Sequence, residues 1–326
     1  MLVNYTLFQF VSKFSSKYTS AIAWPTIELA ERNFNPILHW REVSTRKSMG
    51  DELTQHPNRL ILDGDYILMP AYSAVNGHGD VIVRNNPDNI KIISKTGKSK
   101  VVKLPEPSEG RVITQDIRGL AVDKNNNVYV VRRLKTSTEI GEVESIVLDV
   151  LDENYNVKQD SRRLEYLDAI DCVMIAVTKN NDIVVIQHDD PQVFVIDNTG
   201  KLKHVFERGS RNLRGLGICG QDEIMVSSGS FQIVEIYSQE GNLKSTIKLP
   251  EGHEVHGFAF NYVICKIIVL TRVRKKDSYF LLCYTEAGEL ETETFFCKGI
   301  DGFYSRICSH PSGPIAIVRT KSITFI

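Results

Sequence analysis

Short apolar runs alternate with polar turns along most of this chain, and residues 118–131 (RGLAVDKNNNVYVV) show the pattern most clearly. Apolar side chains occupy alternate positions at Leu120 and Val122 and again at Val128 and Val130, on either side of an Asp-Lys-Asn-Asn-Asn turn. Alternation with a period of two is typical of half-buried strands. Asn and Asp tolerate the left-handed backbone angles of tight turns. The stretch therefore predicts an antiparallel β-hairpin.

The same hairpin recurs six times, about every 45 residues, which is the signature of a repeat architecture. Its matching first-strand and second-strand positions are Val75 and Val81, Val122 and Val128, Val177 and Ile183, Ile218 and Ile224, Phe260 and Ile267, and Cys308 and Ile315. The spacing predicts turns of one length in the first four hairpins. It predicts one extra turn residue in each of the last two.

A second hairpin follows the first in most units and consists of a strand, a tight turn and a more polar strand. Four of these turns end in a glycine, which supplies the positive φ that such turns require. The glycines are Gly97, Gly200, Gly241 and Gly288. In the second unit the segment 152–156 (DENYN) replaces the glycine turn, and we expect Asn154 or Asn156 to take the left-handed conformation. Each unit is thus predicted to have four strands that become more polar outward.

A single four-stranded sheet cannot bury both of its faces, whereas six sheets packed around an axis can. The sequence therefore predicts an all-β fold, a six-bladed β-propeller of four-stranded antiparallel blades spanning residues 58–326. The last unit ends after residues 322–326 (SITFI) and lacks its outer strand. Residues 59–62 (RLIL) occupy the position of a missing outer strand, so we expect them to pair with SITFI and close the ring. Residues 1–57 are expected to form a short N-terminal extension, either a cap or a linker.

Composition narrows the functional classes. The 326 residues carry a net charge of −1, which excludes a globally basic nucleic-acid-binding protein but leaves room for one basic face. We expect no DNA partner. The N-terminal residues lack the long apolar run of a signal peptide or membrane span, so no membrane association is expected. Six scattered cysteines without CxxC spacing indicate reduced thiols in a cytoplasmic protein. They are Cys172, Cys219, Cys265, Cys283, Cys297 and Cys308.

The segments RGLAVDKNNNVYVV, RGLGICGQDEIMVSS and VFVIDNTGKLKHVF resemble the NHL repeat, and the resemblance covers about residues 58–326. It implies a six-bladed propeller that recognises protein or RNA, often at the end of tripartite-motif ubiquitin ligases. The cysteines have neither the number nor the spacing of RING or B-box zinc ligands. The resemblance therefore implies a substrate-recruiting part without its catalytic half. The chain departs from the family pattern where an aspartate usually follows the second strand; Asn85, Arg132, Gln187, Ser228, Thr271 and Arg319 stand there.

Basic residues concentrate at strand ends that share one rim of a propeller. Arg84, Arg132, Arg133, Arg272, Arg274, Lys275, Lys276 and Arg319 follow a second strand, and Arg118 and Arg214 precede a first strand. Such a face is suited to bind the phosphates of single-stranded RNA or an acidic protein partner. The alternative interpretation is that these residues only end strands and keep their edges soluble.

Catalytic chemistry has weaker support in the sequence. The cluster 188–190 (HDD) is the best metal or acid-base candidate, but only one blade carries such a cluster, so an ordinary polar turn is expected. His253 and His256 flank a blade junction, where a hydrogen-bonded packing role is expected. No catalytic residue, metal site or cofactor is predicted. The alternative function is a propeller hydrolase or lactonase with a metal in the central channel.

Overall fold

The computed structural model describes most of the region predicted to form the propeller. The described residues are 59–62, 67, 70, 72–106, 111–139, 141–168, 173–188, 190–209, 215–227, 232–298 and 305–326. The predicted N-terminal extension, residues 1–57, lies outside them, as do Cys172, Asp189 and Arg214. Within the described part, no helix has the length and hydrophobicity that a membrane crossing requires.

The described residues form 24 strands in six four-stranded sheets, which we number as blades in chain order. Blade 1 contains β2 (Ser73–Val75), β3 (Val81–Asn86), β4 (Asn89–Ile93) and β5 (Ser99–Lys103); blade 2 contains β6 (Arg111–Val122), β7 (Val128–Thr138), β8 (Gly141–Leu151) and β9 (Val157–Arg163); blade 3 contains β10 (Val173–Val177), β11 (Ile183–Gln187), β12 (Gln192–Ile196) and β13 (Leu202–Glu207).

The remaining three blades follow the same order. Blade 4 contains β14 (Leu216–Ile218), β15 (Ile224–Ser227), β16 (Ile233–Tyr237) and β17 (Leu243–Lys248); blade 5 contains β18 (His253–Asn261), β19 (Lys266–Val273), β20 (Ser278–Tyr284) and β21 (Leu290–Lys298); blade 6 contains β22 (Arg306–Ser309), β23 (Ile315–Arg319), β24 (Ser322–Phe325) and β1 (Arg59–Ile61). A 3-10 helix, Arg274–Lys276, joins β19 to β20. The predicted six-bladed propeller of antiparallel four-stranded blades is confirmed.

The ring closes through the segment that the sequence predicts. Strand β1 is the outer strand of blade 6 and pairs antiparallel with β24, with Arg59 opposite Thr324 and Ile61 opposite Ser322. The innermost strand of blade 1, β2, contacts both β6 and β22. One sheet therefore contains both the beginning and the end of the described chain, which removes the open seam that a linear array would have.

The hydrophobic core consists of six clusters, each filled from two adjacent blades. Between blades 1 and 2, for example, Ile82 and Ile90 pack in one cluster with Val128 and Val130. The inner two strands of the blades supply most of this core, whereas the outer strands carry exposed residues such as Val101. The predicted outward increase in polarity is confirmed, and it follows because an outer strand has no next strand to cover it.

Ten hairpin turns on one side of the ring share a single geometry. The first residue donates its N–H to the carbonyl of the fifth, and the fourth donates to the carbonyl of the first. The fourth residue always has a positive φ, as at Gly97, Gly200, Gly241 and Gly288. We call this side of the ring the turn face.

Two turn predictions are corrected by the structure. In blade 2 the left-handed residue is Tyr155, with φ 68°, and neither Asn154 nor Asn156. The Tyr155 ring is buried and its hydroxyl accepts a hydrogen bond from Asn76 Nδ2 at 3.1 Å, so contacts with blade 1 hold it in place. In blade 6, Ser309 pairs with Ile315, so this turn has the common length and no extra residue.

The extra turn residue predicted in blade 5 is present. Phe260 pairs with Ile267 there, so one more residue separates this pair than separates the matching pair Val75 and Val81 of blade 1. Inside this turn, Asn261 also pairs with Lys266. Apart from its different length, this turn also lies on the turn face, and Cys265 takes the positive φ.

Blade 2 is longer than the other blades on the side opposite the turn face. Strands β6, β7 and β8 have 12, 11 and 11 residues, whereas no other strand among the described residues exceeds 9. Their extra residues form a three-stranded projection made of 111–116, 133–138 and 141–146, which we call the arm. The β7–β8 hairpin of the arm closes with Thr138 opposite Gly141.

Candidate partner-binding face

Successive strands of a blade run in opposite directions, so second strands end on the same side of the ring on which first strands begin. We call this side the loop face, defined by the C-terminal ends of β3, β7, β11, β15, β19 and β23 and the N-terminal ends of β2, β6, β10, β14, β18 and β22. Nine of the ten cations predicted for partner binding are among the described residues, seven of them near these ends, in the arm or in the turn after β19, and two, Arg118 and Arg132, inside β6 and β7. The tenth, Arg214, lies outside the described residues.

Arg84 and Arg118 come together on one carboxylate. Arg84 Nη2 lies 2.5 Å from Asp116 Oδ1, and Arg118 Nη2 lies 3.0 Å from Asp116 Oδ2. Arg84 also donates from Nη1 to the carbonyl oxygen of Ile117 at 3.3 Å, and its guanidinium lies 5.8 Å from the centre of the Tyr72 ring. All three charged side chains are at most 25% exposed. Asp116 therefore neutralises much of the charge that these two arginines bring to the loop face.

Arg132 is the most buried of the predicted cations, because its side chain has no exposure to solvent. Its Nε and Nη2 donate to the two carboxylate oxygens of Asp149 at 2.5 and 2.9 Å. The other donors reach Gln115 Oε1 at 2.8 Å and the carbonyl oxygen of Pro105 at 2.9 Å. A guanidinium enclosed in this way holds strands together and cannot contact a partner at the surface.

The position of Arg132, just after the second-strand core, carries a buried polar side chain with an internal partner in three other blades. In blade 3, Gln187 Nε2 donates to the carbonyl oxygen of Asp168 at 2.7 Å, and Asp168 N–H donates back to Gln187 Oε1 at 3.3 Å. In blade 5, Thr271 is buried and its hydroxyl lies 2.8 Å from His253 Nδ1. In blade 6, Arg319 is 8% exposed and donates to Cys297 Sγ at 3.4 Å. Gln187 thus anchors the connection that enters its blade, whereas Thr271 contacts the first strand of its own blade and Arg319 contacts the outer strand of blade 5.

Arg133 belongs to a ladder of alternating charges on one face of the arm. Its Nη2 lies 2.6 Å from Glu144 Oε2, and Lys135 Nζ lies 2.5 Å from Glu142 Oε2. Register places Asp116 opposite Arg133 on the neighbouring strand. The arm therefore presents paired charges of both signs.

Blade 5 carries the remaining predicted cations at the end of β19 and on the turn between β19 and β20. Arg272 Nη2 lies 2.7 Å from Asp277 Oδ1, and this hydrogen bond raises the pKa of Arg272. Arg274 Nε lies 2.7 Å from Glu254 Oε2, although the Arg274 side chain is 68% exposed.

Lys275 and Lys276 differ from the other cations on the loop face. Both are exposed, and neither forms an ion pair with a carboxylate in the described part of the chain. We call Arg274, Lys275 and Lys276 the cationic turn. Their charges add because they are consecutive in the 3-10 helix and only Arg274 has an acidic partner.

An exposed aromatic pair lies near the cationic turn. His253 packs against Phe280, with 5.3 Å between ring centres, and Phe280 packs edge-on against Phe295 at 5.8 Å. Phe295 is 53% exposed. Burial lowers the pKa of His253, Lys276 lowers it further, and Glu293 opposes the shift. Lys276 is therefore within electrostatic range of His253, which packs against Phe280.

The histidine predictions agree with this arrangement. His253 has the expected hydrogen-bonded packing role, and His256 packs edge-on against Tyr279 with 5.1 Å between ring centres. In the 188–190 cluster, Asp190 Oδ1 accepts the backbone N–H of Gln192 at 2.9 Å, as expected for a polar turn. Across the described residues, no three His, Cys, Asp or Glu side chains come together as a metal site.

The central channel is narrow and lined mostly by apolar residues, with Arg306 as the one charged residue among the described residues that line it. All six inner strands line a cavity of about 80 Å³, large enough for only a few water molecules. Its lining includes Ala74, Ala121, Ala176, Gly217 and Ala259. No carboxylate and no histidine is among the described residues that line it.

The sequence missed the carboxylates that neutralise the loop-face arginines. Strand register and blade packing locate them, since Glu144 and Asp149 lie on β8 next to the β7 arginines that they bind, whereas Asp116 shares β6 with Arg118 and meets Arg84 from the neighbouring blade. Bulges between Val112 and Thr114 and between Ile117 and Gly119 shift that register, so counting along the sequence does not reveal the pairs.

Comparison with known proteins finds similar folds but does not assign the chain to a family. No protein-family model and no curated protein matches the sequence. Among solved structures, a chain of a mitotic checkpoint complex has a TM-score of 0.54 at 10% identity and covers 94% of this chain and 98% of that one. The chain is a β-propeller. Virginiamycin B lyase from Staphylococcus aureus has a TM-score of 0.53 at 13% identity and covers 82% of this propeller and 97% of its own chain.

A third similar structure is the PQQ-bound aldose sugar dehydrogenase from Streptomyces coelicolor. Its TM-score is 0.51 at 12% identity, and the match covers 83% of this propeller and 100% of the dehydrogenase chain. Two of the three structures are enzymes and one is a checkpoint assembly. Because identities this low establish only the fold, the neighbours favour neither catalysis nor recognition.

Proposed function

We propose that this propeller is a non-catalytic recognition module that binds an acidic protein partner through the loop face. The observation that carries the proposal is the cationic turn, where Lys275 and Lys276 are exposed and have no carboxylate partner among the described residues. Positive charge left unpaired on a protein of net charge −1 attracts an acidic surface and steers its approach.

A protein partner suits this face better than single-stranded RNA. The guanidiniums of Arg84, Arg118, Arg133 and Arg272 are already bound to carboxylates, so phosphate contacts there would require breaking those pairs. Non-specific RNA binding needs a row of cations that follows the phosphate backbone. The cationic turn offers three residues, and the exposed Phe295 on the outer strand of the same blade is suited to anchor an apolar side chain of a peptide.

The alternative of a metal-dependent propeller hydrolase or lactonase has less support. A calcium site needs six or more oxygen ligands, usually several of them carboxylates. The described channel lining supplies neither carboxylate nor histidine. The donor set that such an enzyme would aim into the channel is therefore not found among the described residues.

Two finer parts of the proposal have separate support. The resemblance to NHL repeats supports a substrate-recruiting role in a ubiquitin-ligase system, with this chain as the recognition part. The five described cysteines are free thiols, which supports a reducing, cytoplasmic location.

Binding of two defined probes tests the proposal. The probes are a synthetic peptide of alternating glutamate and leucine and a 20-nucleotide oligouridine, each titrated against the purified chain at low and physiological salt. We expect the acidic peptide to bind, and we expect Arg274→Glu/Lys275→Glu/Lys276→Glu to lose that binding. The control variant is Arg133→Glu, which reverses one paired charge on the arm. Binding of oligouridine without the peptide would replace the protein partner with RNA, and binding of neither probe would overturn the proposal.

A further inference from the structure

The arm of blade 2 has two strand edges, one on β6 and one on β8, and they differ in whether another strand could pair with their backbone groups. Its inner edge, on β6, is interrupted by bulges between Val112 and Thr114 and between Ile117 and Gly119. Arg84 covers the base of that edge by donating to the carbonyl oxygen of Ile117 and pairing with Asp116. Bulges and edge cations are the devices that prevent another strand from adding to a sheet. The β6 edge is therefore protected.

The opposite edge, on β8, lacks such protection. Strand β9 pairs with β8 only from Val147 inward, where Val147 lies opposite Arg163. In the described part of the chain, no strand pairs with residues 141–145 on that side. The ladder between β7 and β8 is regular through this span, without a bulge. Five residues are long enough to accept an added strand.

The orientation of the free backbone groups follows from one hydrogen bond. Leu164 N–H donates to the carbonyl oxygen of Ile146 at 2.8 Å, so the backbone of Ile146 faces the β9 side. In an antiparallel sheet the N–H and C=O of one residue point to the same side, and the side alternates along the strand. Glu142 and Glu144 therefore direct their N–H and C=O groups to the open edge, whereas Val143 and Ser145 bond to β7.

The side chains at this edge indicate what kind of strand fits. Glu142 and Glu144 are 57% and 38% exposed and are bound to Lys135 and Arg133 on the next strand. Two copies of this edge paired with each other would place glutamates opposite glutamates, and like charges directly opposite destabilise a sheet. A strand carrying Lys or Arg at the same positions would instead continue the alternation of charge across the arm.

We propose that the edge of β8 at residues 141–145 binds an extended segment of a partner protein as an added strand, with basic side chains beside Glu142 and Glu144. Main-chain hydrogen bonds would supply the affinity and the glutamates the selectivity. This inference rests on the proposed function only in requiring a protein partner. The strand site is separate from the cationic turn, since it lies on blade 2 and the cationic turn lies on blade 5.

Hydrogen exchange with a defined peptide tests the strand site. The probe is a synthetic eight-residue peptide of alternating lysine and valine, and its matched control is the same peptide with every second backbone nitrogen methylated. We expect the unmodified peptide to slow exchange at the Glu142 and Glu144 amides and the methylated peptide to leave them unchanged. Equal binding of both peptides would show attraction by charge alone and would overturn the proposal.

Two variants of one residue separate the backbone from the charge. Glu144→Pro removes the N–H that faces the open edge together with the carboxylate, and edge strands tolerate such a proline. We expect it to weaken peptide binding by up to about tenfold, the upper part of what one hydrogen bond contributes. Glu144→Gln keeps the N–H and should retain most of the binding. Circular dichroism establishes that both variants fold, and unchanged binding by a folded Glu144→Pro variant would contradict the inference.

The Arg274→Glu/Lys275→Glu/Lys276→Glu variant distinguishes this site from the proposed function. It should bind the lysine–valine peptide as tightly as the unaltered chain does, even when it no longer binds the acidic peptide. Sedimentation of the unaltered chain tests the other possible occupant of the β8 edge, which is a second copy of this chain. A concentration-dependent dimer that Glu144→Pro abolishes would assign the edge to a second copy and overturn the partner strand.

Discussion

Arg132 on β7 and Asp149 on β8 form an ion pair with two hydrogen bonds and no solvent exposure of either side chain. Arg132 also donates to Gln115 on β6 and to the carbonyl oxygen of Pro105, in the connection that enters blade 2. One guanidinium thus joins three strands and a connection at the base of the arm. This pairing explains why an arginine at the loop face contributes to the fold and not to a binding surface.

Replacing Arg132 with alanine is expected to destabilise the propeller strongly. The change leaves the Asp149 carboxylate buried without its partner, which costs about 3–5 kcal/mol in comparable sites. Unfolding in guanidinium chloride measures the loss of stability. Arg133→Ala is the matched control, because its pair with Glu144 is partly exposed and exposed pairs contribute little. Equal unfolding midpoints for the two variants would contradict the structural role of Arg132.

Closure by β1 predicts a contrast between two neighbouring residues. Leu60 packs against the cluster between blades 6 and 1, whereas Ile61 is 62% exposed. Leu60→Ala should therefore lower the free energy of unfolding by about 2 kcal/mol, a usual value for truncating a packed leucine. Ile61→Ala should leave the thermal midpoint nearly unchanged. If both changes are harmless, β1 does not hold the ring closed in solution.

The blades and their closure were predictable because each depends on a pattern that repeats. Six hairpins with period-two alternation identify six blades, and the SITFI strand without an outer neighbour identifies the closing strand β1. Exceptions arise where a contact between blades overrides the local pattern. Tyr155 takes the left-handed turn position that an asparagine would favour, because its ring and hydroxyl are held by blade 1.

The charge state of the loop face was not predictable from the positions of its cations. Arginines after a second strand are visible along the sequence, but their partners lie on other strands. Arg132 and Asp149 are in adjacent strands, and Arg84 reaches Asp116 in the next blade. Neither pair follows from repeat spacing, because each depends on register and on how neighbouring blades pack.

Alanine substitutions at two glycines with positive φ distinguish the cost of backbone strain from the cost of a steric clash. Gly252 has φ +81°, and a Cβ added there meets nothing within 4 Å. Gly241 has φ +89°, but an added Cβ would lie 2.4 Å from the Phe206 ring. Alanine at Gly252 should cost only the left-handed strain, about 1–2 kcal/mol. Alanine at Gly241 should cost clearly more, since Phe206 is packed against Tyr237 and must move. Thermal unfolding of both variants measures the difference, and a similar loss in each would show that Phe206 yields freely.

A buried histidine on the turn face makes stability depend on pH. His310 Nδ1 accepts the backbone N–H of Ser312 at 3.1 Å, so this nitrogen carries no proton and Nε2 donates to the carbonyl oxygen of Asp123 at 2.8 Å. Burial lowers the pKa of His310 from its ordinary value of 6.5; His78 lowers it further and Asp123 opposes the shift. Protonation would place a hydrogen on Nδ1 facing the Ser312 N–H, and would break that hydrogen bond within the blade 6 turn.

The sign of the effect follows from the lowered pKa. The unfolded chain binds the proton more readily than the folded one, so the contribution of His310 is complete above pH 6.5 and decreases as the pH falls below that value. Urea unfolding of the unaltered chain and of His310→Gln should therefore show a stability difference that narrows from pH 8 to pH 5. His253, whose pKa is also lowered, is present in both proteins and cancels from the difference. A gap that widens as the pH falls would mean that His310 is protonated in the folded propeller.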